Sequence, residues 1–268
     1  MEVILAKHSG FCMGVNRAVK AVLNVKDKKV CVLGELVHNK SVNDELENRG
    51  VKIAKSFDDI EGDVIVIRSH GETKETIDAL KKTGKTILDC TCPFVSKIHD
   101  IVSDYSRKGY KILILGDDTH PEVKGTKGWV FGEKPLVQNR FDEKYDYNSH
   151  EKLCIVAQTT YNDAEFAIFL DKFKKNYSKT VEIFKTICYT TRERQKEAEC
   201  LSKRCDAMIV VGDNLSSNSR KLFDVCAKFC KNVTFLSDVS LLDASKYVNF
   251  LKVGIVSGAS TQIGRAHV

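Results

Sequence analysis

Three cysteines lie just past predicted strands, where parallel sheets present groups to their ligands. Cys12, Cys92 and Cys188 each close a short polar cluster that follows an apolar run. They are 80 and 96 residues apart, and the interval read across the two ends of the chain is 92 residues. Three comparable α/β units would produce such spacing if each contributed one thiol to a shared site. Because ten cysteines allow many other triples, spacing alone leaves this three-fold arrangement open.

Three convergent thiolates suit an iron–sulfur cluster better than a structural zinc ion. Zinc commonly takes four ligands that include CxxC pairs, and the sequence has no CxxC. Iron–sulfur clusters are held by thiolates, and a Cys-Pro step such as Cys92-Pro93 occurs in one of their known motifs. A four-iron cluster on three thiolates would keep one iron open to substrate. The competing interpretation is that these thiols only pack in the core, as we expect of Cys31, Cys90, Cys154, Cys200, Cys205, Cys226 and Cys230.

Histidines and hydroxyl groups in the same topological position indicate an anion site. His38, His70 and His120 follow predicted strands, and imidazoles can donate hydrogen bonds to phosphate oxygens. The run Ser216-Ser-Asn-Ser219 precedes a helical pattern, so it can cap that helix and also offer an anion a helix N-terminus. The alternative is that these histidines are solvated or hydrogen-bonded core residues. Further hydroxyls follow other strands at Thr159, Thr160, Ser260 and Thr261.

Glu122 is the carboxylate that could do acid chemistry. It follows His120-Pro121 at the end of a predicted strand, where a protonated carboxyl could deliver a proton into a dry site. The other interpretation is a surface glutamate at the start of a helix.

The elements that must position these residues alternate between strand and helix. Apolar runs predict strands over 3–6, 30–33, 64–67, 86–88, 112–115, 153–157, 180–184, 208–211, 233–236 and 253–256. Helical periodicity predicts helices that include 15–25, 42–48, 95–106, 164–175, 194–203 and 220–228. This alternation predicts an α/β protein with parallel sheets. The polar segment 139–151 is predicted to be a surface loop.

Composition excludes several functional classes. The net charge of +6 is spread along the chain, so it tolerates an anionic ligand without indicating nucleic acid. No stretch approaches the ~20 apolar residues that a membrane span needs. The N-terminal sequence MEVILAKHSGFC reads as a first strand and not as a signal peptide. We therefore expect a cytoplasmic protein whose cysteines are mostly free thiols.

Nine short motifs, in order, carry a resemblance to a known family. They read GFCMGVNRAV, GELVHN, RSHG, DCTCP, HPEVKGTKGW, AQTT, TICYTTRERQ, SSNS and GAST. The series closely resembles the 4-hydroxy-3-methylbut-2-enyl diphosphate reductases, which act last in the non-mevalonate isoprenoid pathway. It covers almost the whole chain, to about Thr261. The resemblance implies three similar α/β lobes with mostly parallel sheets in pseudo-three-fold arrangement around a central iron–sulfur site, with expected lobes at 13–92, 93–188, and 189–268 together with 1–12.

The resemblance also implies the chemistry and the residues that perform it. The implied reaction is reductive dehydroxylation of the allylic diphosphate to isopentenyl and dimethylallyl diphosphate, with electrons from ferredoxin or flavodoxin. Cys12, Cys92 and Cys188 match the ligands of a 4Fe-4S cluster, which can be isolated as 3Fe-4S. Glu122 matches the proton-relay carboxylate, Thr159 the hydroxyl that positions substrate beside it, and His120 is expected to share in catalysis. The implied substrate-binding residues are His38, His70, His120, Thr159, Ser216, Ser217, Asn218 and Ser260.

Three features depart from the family pattern. Gly212-Asp213, followed by Asn214-Leu215, stands where two glycines usually precede Ser-Ser-Asn, so this loop is expected to differ. The family's Gly-Ala-Ser-Thr usually continues into proline and a closing helix, whereas this chain reads Gln262-Ile-Gly-Arg-Ala-His-Val268, which predicts altered packing of the last lobe. Cys90 replaces a small residue and is expected to lie near the cluster without binding it. The competing function is a non-catalytic iron–sulfur or zinc module that senses redox state, which would need the cysteines but not Glu122 or Thr159.

Overall fold

Three four-stranded parallel sheets organise residues 1–262, the part of the chain that this computed structural model describes. Their central strands contain apolar, mostly buried runs, and Val30–Leu33 and Val64–Ile67 are buried along their whole length. Sheets covered by helices on both faces need such runs. The predicted α/β class with three parallel-sheet lobes is confirmed.

The first sheet contains β2 to β5, and the second contains β6 to β9. Along the first sheet the strand order is β3-β2-β4-β5, and along the second it is β7-β6-β8-β9, so both follow one winding pattern. The bounds of the first sheet's strands are β2 Val30–Leu33, β3 Lys52–Ala54, β4 Val64–Ile67 and β5 Thr86–Asp89. Those of the second are β6 Lys111–Leu115, β7 Leu136–Gln138, β8 Lys152–Ala157 and β9 Thr180–Ile183.

The third sheet repeats the pattern with a strand from the other end of the chain. Its order is β11-β10-β12-β1, from β1 Glu2–Leu5, β10 Ala207–Val211, β11 Val233–Leu236 and β12 Lys252–Ser257. The strands β10, β11 and β12 occupy the positions that β2, β3 and β4 occupy in the first sheet, and β1 occupies the position of β5.

Eight α-helices connect the strands within residues 1–262. They are α1 Met13–Leu23, α2 Lys40–Asn48, α3 Lys74–Lys82, α4 Pro93–Arg107, α5 Pro121–Lys127, α6 Asp163–Asn176, α7 Tyr189–Ser202 and α8 Ser217–Phe229. Short 3-10 helices cover Phe57–Asp59, Tyr147–Ser149, Val239–Leu241 and Ala244–Tyr247. None of the described helices combines the length and the apolar character that crossing a membrane requires.

The chain divides into two compact units. The larger unit comprises Arg17–Leu36 and Leu46–Ile187 and contains the first and second sheets. The smaller unit comprises Met1–Asn16, Val37–Glu45 and the chain from Cys188 onward, and it contains the third sheet. The expected lobe boundaries and the pseudo-three-fold arrangement stay predictions, and residues 263–268, most of the atypical tail, lie outside the described part of the chain.

Several elements differ from the sequence prediction. The short strands β3 and β7 and the helices α3 and α5 were not among those predicted. The helices α4, α7 and α8 begin two to five residues earlier than predicted, because their first turns are polar or contain proline and so carry no apolar period. The segment 139–151 is not only a surface loop: Tyr147 is buried against the aromatic core beneath α6 and donates a hydrogen bond to Gln138.

Candidate active site

The three predicted thiol ligands share one local structure. Cys92 and Cys188 are the N-cap residues of α4 and α7, and Cys12 directly precedes α1. The Sγ of Cys12 accepts a hydrogen bond from the N–H of Val15 at 3.4 Å, and the Sγ of Cys188 accepts from the N–H of Thr191 at 3.3 Å. Helix N-termini favour the thiolate, which is the form that binds metal.

Burial separates these three thiols from most of the others. All ten cysteines are free, and Cys12, Cys92 and Cys188 are half-buried. Six others are buried, as predicted for packing residues, but Cys200 is exposed on α7, so its predicted packing role is wrong. Burial raises the pKa of Cys154 to about 12 and that of Cys226 to about 11. Buried protonated thiols are poor metal ligands, whereas half-buried thiols at helix N-termini are good ones.

Cys90 belongs to the buried group although it lies only two residues from Cys92. Burial raises its pKa to about 11, so the thiol stays protonated at neutral pH. We expect C90A to keep the iron and sulfide content of the unmodified protein and to lose about 1 kcal/mol of stability through lost packing. Iron analysis after anaerobic reconstitution tests this, and loss of iron on the scale expected for C92A would contradict it.

In the larger unit, Glu122 and Thr159 form a closed pair, in which both carboxyl oxygens of Glu122 accept hydrogen bonds from Thr159. The carboxyl of Glu122 lies in the first turn of α5 and is 2% exposed. Its Oε1 accepts the backbone N–H of Thr159 at 2.6 Å, and its Oε2 accepts the hydroxyl of Thr159 at 2.5 Å. Both carboxyl oxygens are therefore fixed by one residue, and no lysine or arginine forms an ion pair with Glu122 in the described part of the chain.

Burial governs the protonation of Glu122. It raises the pKa to about 7, against the hydrogen bonds from Thr159, which lower it. A carboxyl with this pKa carries a proton in a sizeable fraction of molecules at neutral pH. It can therefore serve as an acid there, which an ordinary glutamate cannot.

The raised pKa of Glu122 predicts that the stability of the E122Q variant, relative to the unmodified protein, increases as the pH rises. Folding favours the protonated carboxyl, so its contribution to stability is complete below pH about 4.5 and is lost as pH rises through about 7. Relative to the unmodified protein, E122Q should therefore gain about 3 kcal/mol between these pH values. Denaturant unfolding of the apoprotein at a series of pH values measures the difference.

Glu197 provides a control of opposite sign for this measurement. Burial alone would raise its pKa, but the backbone N–H groups of His8 and Lys7 and the His8 ring together hold the pKa below its ordinary value. The contribution of Glu197 is therefore present above its unfolded pKa and lost as pH falls. A pH-independent difference for E122Q would show that the carboxyl has an ordinary pKa.

His120 and His70 lie together near this pair. The Nδ1 of His120 accepts the backbone N–H of Glu122 at 3.1 Å, and because an amide N–H can only donate, the neutral ring carries its proton on Nε2. The rings of His70 and His120 meet edge to face with centroids 5.5 Å apart. Gly71 holds the turn after His70 with φ +74°, and a Cβ there would lie 2.7 Å from the ring of His99.

Cys92 forms a backbone hydrogen bond to the loop that carries His70. Its backbone N–H donates to the carbonyl of Ser69 at 3.0 Å, directly before His70. The larger unit thus brings together Cys92, the His70 loop and α5, which carries Glu122.

In the smaller unit, α8 begins with the predicted anion-binding run. Ser216 caps the helix by accepting the N–H of Ser219 at 3.3 Å. Asn218 is 4% exposed, and within residues 1–262 neither its Oδ1 nor its Nδ2 has a hydrogen-bond partner. Buried amides are almost always hydrogen-bonded, so this side chain is poised for a ligand that the protein itself does not provide.

The unsatisfied amide predicts a trade between stability and binding. We expect N218L to raise the free energy of unfolding of the substrate-free protein by about 1–2 kcal/mol, because it removes two unsatisfied buried atoms at similar volume. The same change should raise KM for the diphosphate that the sequence resemblance implies as substrate by roughly 10-fold or more. Asn162, which caps α6 by accepting the N–H of Glu165, is the matched control: N162L should lower stability and leave KM unchanged. A destabilised N218L with normal KM would contradict this assignment.

Ser260 and His38 lie side by side in the smaller unit. The hydroxyl of Ser260 donates to the carbonyl of His38 at 2.9 Å, and the side-chain amide of Asn39 donates to the carbonyl of Ser260 at 2.7 Å. Asp213, one of the departures from the family pattern, accepts the N–H groups of Lys40 and Leu215 and so shapes the loop before α8.

Two residues near the thiols were not predicted from the sequence. Thr191, buried in the first turn of α7, has its hydroxyl 3.0 Å from the Sγ of Cys188. Arg194, one turn further along, is buried and contacts the loop that carries Cys12. The spacing Cys-x-x-Thr is that of an N-cap and its third helical residue, and this was the available signal for Thr191.

Fold and local geometry together define a class: an α/β protein with half-buried thiols at helix N-termini, a buried carboxyl of raised pKa and a helix start that carries an unsatisfied buried amide. The chain belongs to the LytB family, because the model of that family, described as LytB protein, matches residues 3–264.

Individual relatives agree with the family assignment. A 4-hydroxy-3-methylbut-2-enyl diphosphate reductase of Caldanaerobacter subterraneus subsp. tengcongensis is 39% identical over 97% of this chain and 92% of its own length. The reductase of the same name from Campylobacter hominis is 38% identical over 97% of this chain and 94% of its own. The solved E-1-hydroxy-2-methyl-but-2-enyl-4-diphosphate reductase of Plasmodium falciparum superposes with a TM-score of 0.90 at 29% identity, covering 97% of this chain and 84% of that one.

Proposed function

We propose that this protein is an oxidoreductase that converts 4-hydroxy-3-methylbut-2-enyl diphosphate to isopentenyl and dimethylallyl diphosphate, the last step of the non-mevalonate isoprenoid pathway. The observation that carries this proposal is similarity to relatives of that name at 39% identity over 97% of this chain and 92% of their own length. The buried Glu122–Thr159 pair adds a group that the reaction needs and a redox sensor does not. The non-catalytic sensor is therefore not favoured.

The thiols fit an iron–sulfur cluster. We propose that Cys12, Cys92 and Cys188 hold it, because each is half-buried at the start of a helix while six of the other seven thiols are buried. Three thiolates match a 4Fe-4S cluster with one iron open to substrate, which can be isolated as 3Fe-4S. When bound, the cluster supplies electrons one at a time and Lewis acidity for the departing hydroxyl group.

The reaction requires two electrons and two protons. The allylic C–O bond breaks, one proton converts the departing hydroxyl to water, and the second forms the new C–H bond. The carbon that receives this proton decides which of the two isomeric diphosphates results.

Glu122 and Thr159 are proposed to supply the acid function. With its proton on Oε2, the carboxyl can donate to the Oγ1 of Thr159, and the threonine hydroxyl is then free to donate its own proton onward. The Thr159 hydroxyl, which accepts a hydrogen bond from the protonated Glu122 and donates one to the substrate, thus provides a proton path that needs no water molecule. The neutral His120, with its proton on Nε2, offers a further donor.

The remaining predicted residues are proposed to bind the diphosphate. The start of α8 offers backbone N–H groups and the side chains of Ser216, Ser217 and Asn218. Ser260, His38, His70 and His120 add hydroxyl and imidazole donors. An anchored diphosphate fixes the opposite end of a short substrate, so positioning contributes to the rate.

The free thiols also bear on the cellular setting of the protein. Ten free thiols fit a reducing compartment, so we propose that the protein works in the cytoplasm. We further propose ferredoxin or flavodoxin as the electron donor.

We propose that the chain forms three lobes around the cluster, at 13–92, at 93–188, and at 189–268 together with 1–12. The sheet membership of β1 supports the last of these lobes.

Anaerobic purification tests the function directly. The protein should be brown, contain iron and sulfide, and turn over the allylic diphosphate with a chemical reductant. Protein that stays colourless after reconstitution would contradict the cofactor assignment. Cluster-loaded protein without turnover would instead favour the sensor.

A further inference from the structure

Arg194 is a buried cation beside two of the proposed cluster ligands. It lies in the second turn of α7, six residues after Cys188, and is 4% exposed. Its Nη1 donates to the carbonyl of Ser257 at 2.7 Å, and its Nη2 donates to the carbonyl of Gly10 at 2.6 Å. One guanidinium therefore bridges the end of β12 and the loop that leads into Cys12.

The end of β12, the segment after it and α7 all form hydrogen bonds to the residues around Cys12. The N–H of Gly10 donates to the hydroxyl of Ser257 at 3.0 Å, and the N–H of Cys12 donates to the carbonyl of Ala259 at 2.9 Å. One turn along α7 from Arg194, Glu197 accepts the N–H groups of Lys7 and His8. Together, α7, which follows Cys188, and the end of β12 hold the segment that contains Cys12.

Two hydrogen bonds of the Arg194 guanidinium go to carbonyl groups and not to a carboxylate. Its Nε is buried without a hydrogen-bond partner within residues 1–262. Burial lowers the pKa of Arg194, and the negative charges of Cys12, Cys188 and Glu197 oppose that effect, with the two thiols contributing more than Glu197. A buried guanidinium bonded only to carbonyls is costly unless negative charge lies nearby.

We propose that Arg194 is a positioning residue for the iron–sulfur site, which fixes the Cys12 loop against the helix of Cys188 and places a permanent positive charge beside their thiolates. The inference rests on the proposed function, since it assumes that these thiolates hold the cluster. A positive charge near a cluster stabilises the reduced form, because reduction adds negative charge.

Two substitutions separate the bridge from the charge. R194M removes both, so we expect it to lose at least half of the reconstituted iron and to shift the midpoint potential of the remaining cluster to a more negative value. R194K keeps the charge but loses the planar fork that reaches two carbonyls. It should lose part of the iron and keep a potential close to that of the unmodified protein. Iron and sulfide analysis and an EPR-monitored redox titration provide these values without an activity assay.

Lys196 is the matched control on the same helix. It is exposed, so K196Q removes one positive charge from α7 where solvent screens it, and should change neither iron content nor potential. Native iron content and potential in R194M would overturn the proposal, as would an R194K potential shifted as far as that of R194M. If R194M does not fold, the R194K potential decides alone: an unchanged value supports the proposal and a negative shift overturns it. Failure of the proposed function is separate, because the unmodified protein would then either bind no cluster or bind one without turning over the diphosphate, and neither result depends on Arg194.

Discussion

Replacing Cys92 by alanine is expected to abolish cluster binding and turnover together. Cys92 caps α4 as Cys188 caps α7, and Cys12 holds the same place before α1. With the three proposed thiolate ligands, a cluster that loses one would keep only two of them. The loss in activity should exceed the roughly 10–100-fold that removal of an outer-shell partner costs a metal site.

The experiment compares cysteines that differ in environment. C12A, C92A and C188A should each yield nearly iron-free protein after anaerobic reconstitution. Cys31 and Cys154 lie fully buried in β2 and β8, so C31A and C154A should keep full iron while losing some stability. Iron content in C92A equal to that in C31A would remove Cys92 from the ligand set. Circular dichroism of each apoprotein establishes that the fold is retained.

Sequence periodicity predicted the core of each sheet and failed at its margins. The long buried strands, such as Lys152–Ala157, contain apolar runs that only a covered parallel sheet explains. The edge strands Lys52–Ala54 and Leu136–Gln138 have only three residues and cannot show a period. Their existence follows from pairing with a neighbour, which is a property of the fold and not of the segment.

The candidate site was predictable in residue types but not in local geometry. Glu122 could be selected because it is a carboxylate that follows His-Pro after a predicted strand. Its helix, Pro121–Lys127, was not predicted, because a helix of only seven residues, with polar residues on both sides of a glycine, shows no amphipathic pattern. The closure of Glu122 by both donors of Thr159 joins residues 37 positions apart, so only the fold could show it. Arg194 was invisible for the same reason, since its partners Gly10 and Ser257 lie far away in sequence.

Glu122→Gln should keep the cluster and the fold but lose most turnover. Glutamine is nearly isosteric, and it can accept the N–H of Thr159 and donate to its hydroxyl, so the pair stays closed. What disappears is the transferable proton, and general acid catalysis is commonly worth roughly 10²–10⁴-fold. Iron content, substrate affinity and the visible spectrum should match those of the unmodified protein.

The pH dependence distinguishes a proton donor from a residue that only holds Thr159 in place. Burial raises the pKa of Glu122 to about 7, and the acid must be protonated, so kcat of the unmodified protein should fall as pH rises above about 7. The residual activity of E122Q should lack this fall, because the titrating group is gone. T159V is the companion: it keeps the backbone N–H to Oε1 but removes the hydroxyl that would pass the proton, so it should also lose turnover while Glu122 stays buried. An E122Q variant with near-normal kcat, or with the same alkaline fall, would remove Glu122 from the proton path and leave Thr159 positioned by a carboxyl that does no chemistry.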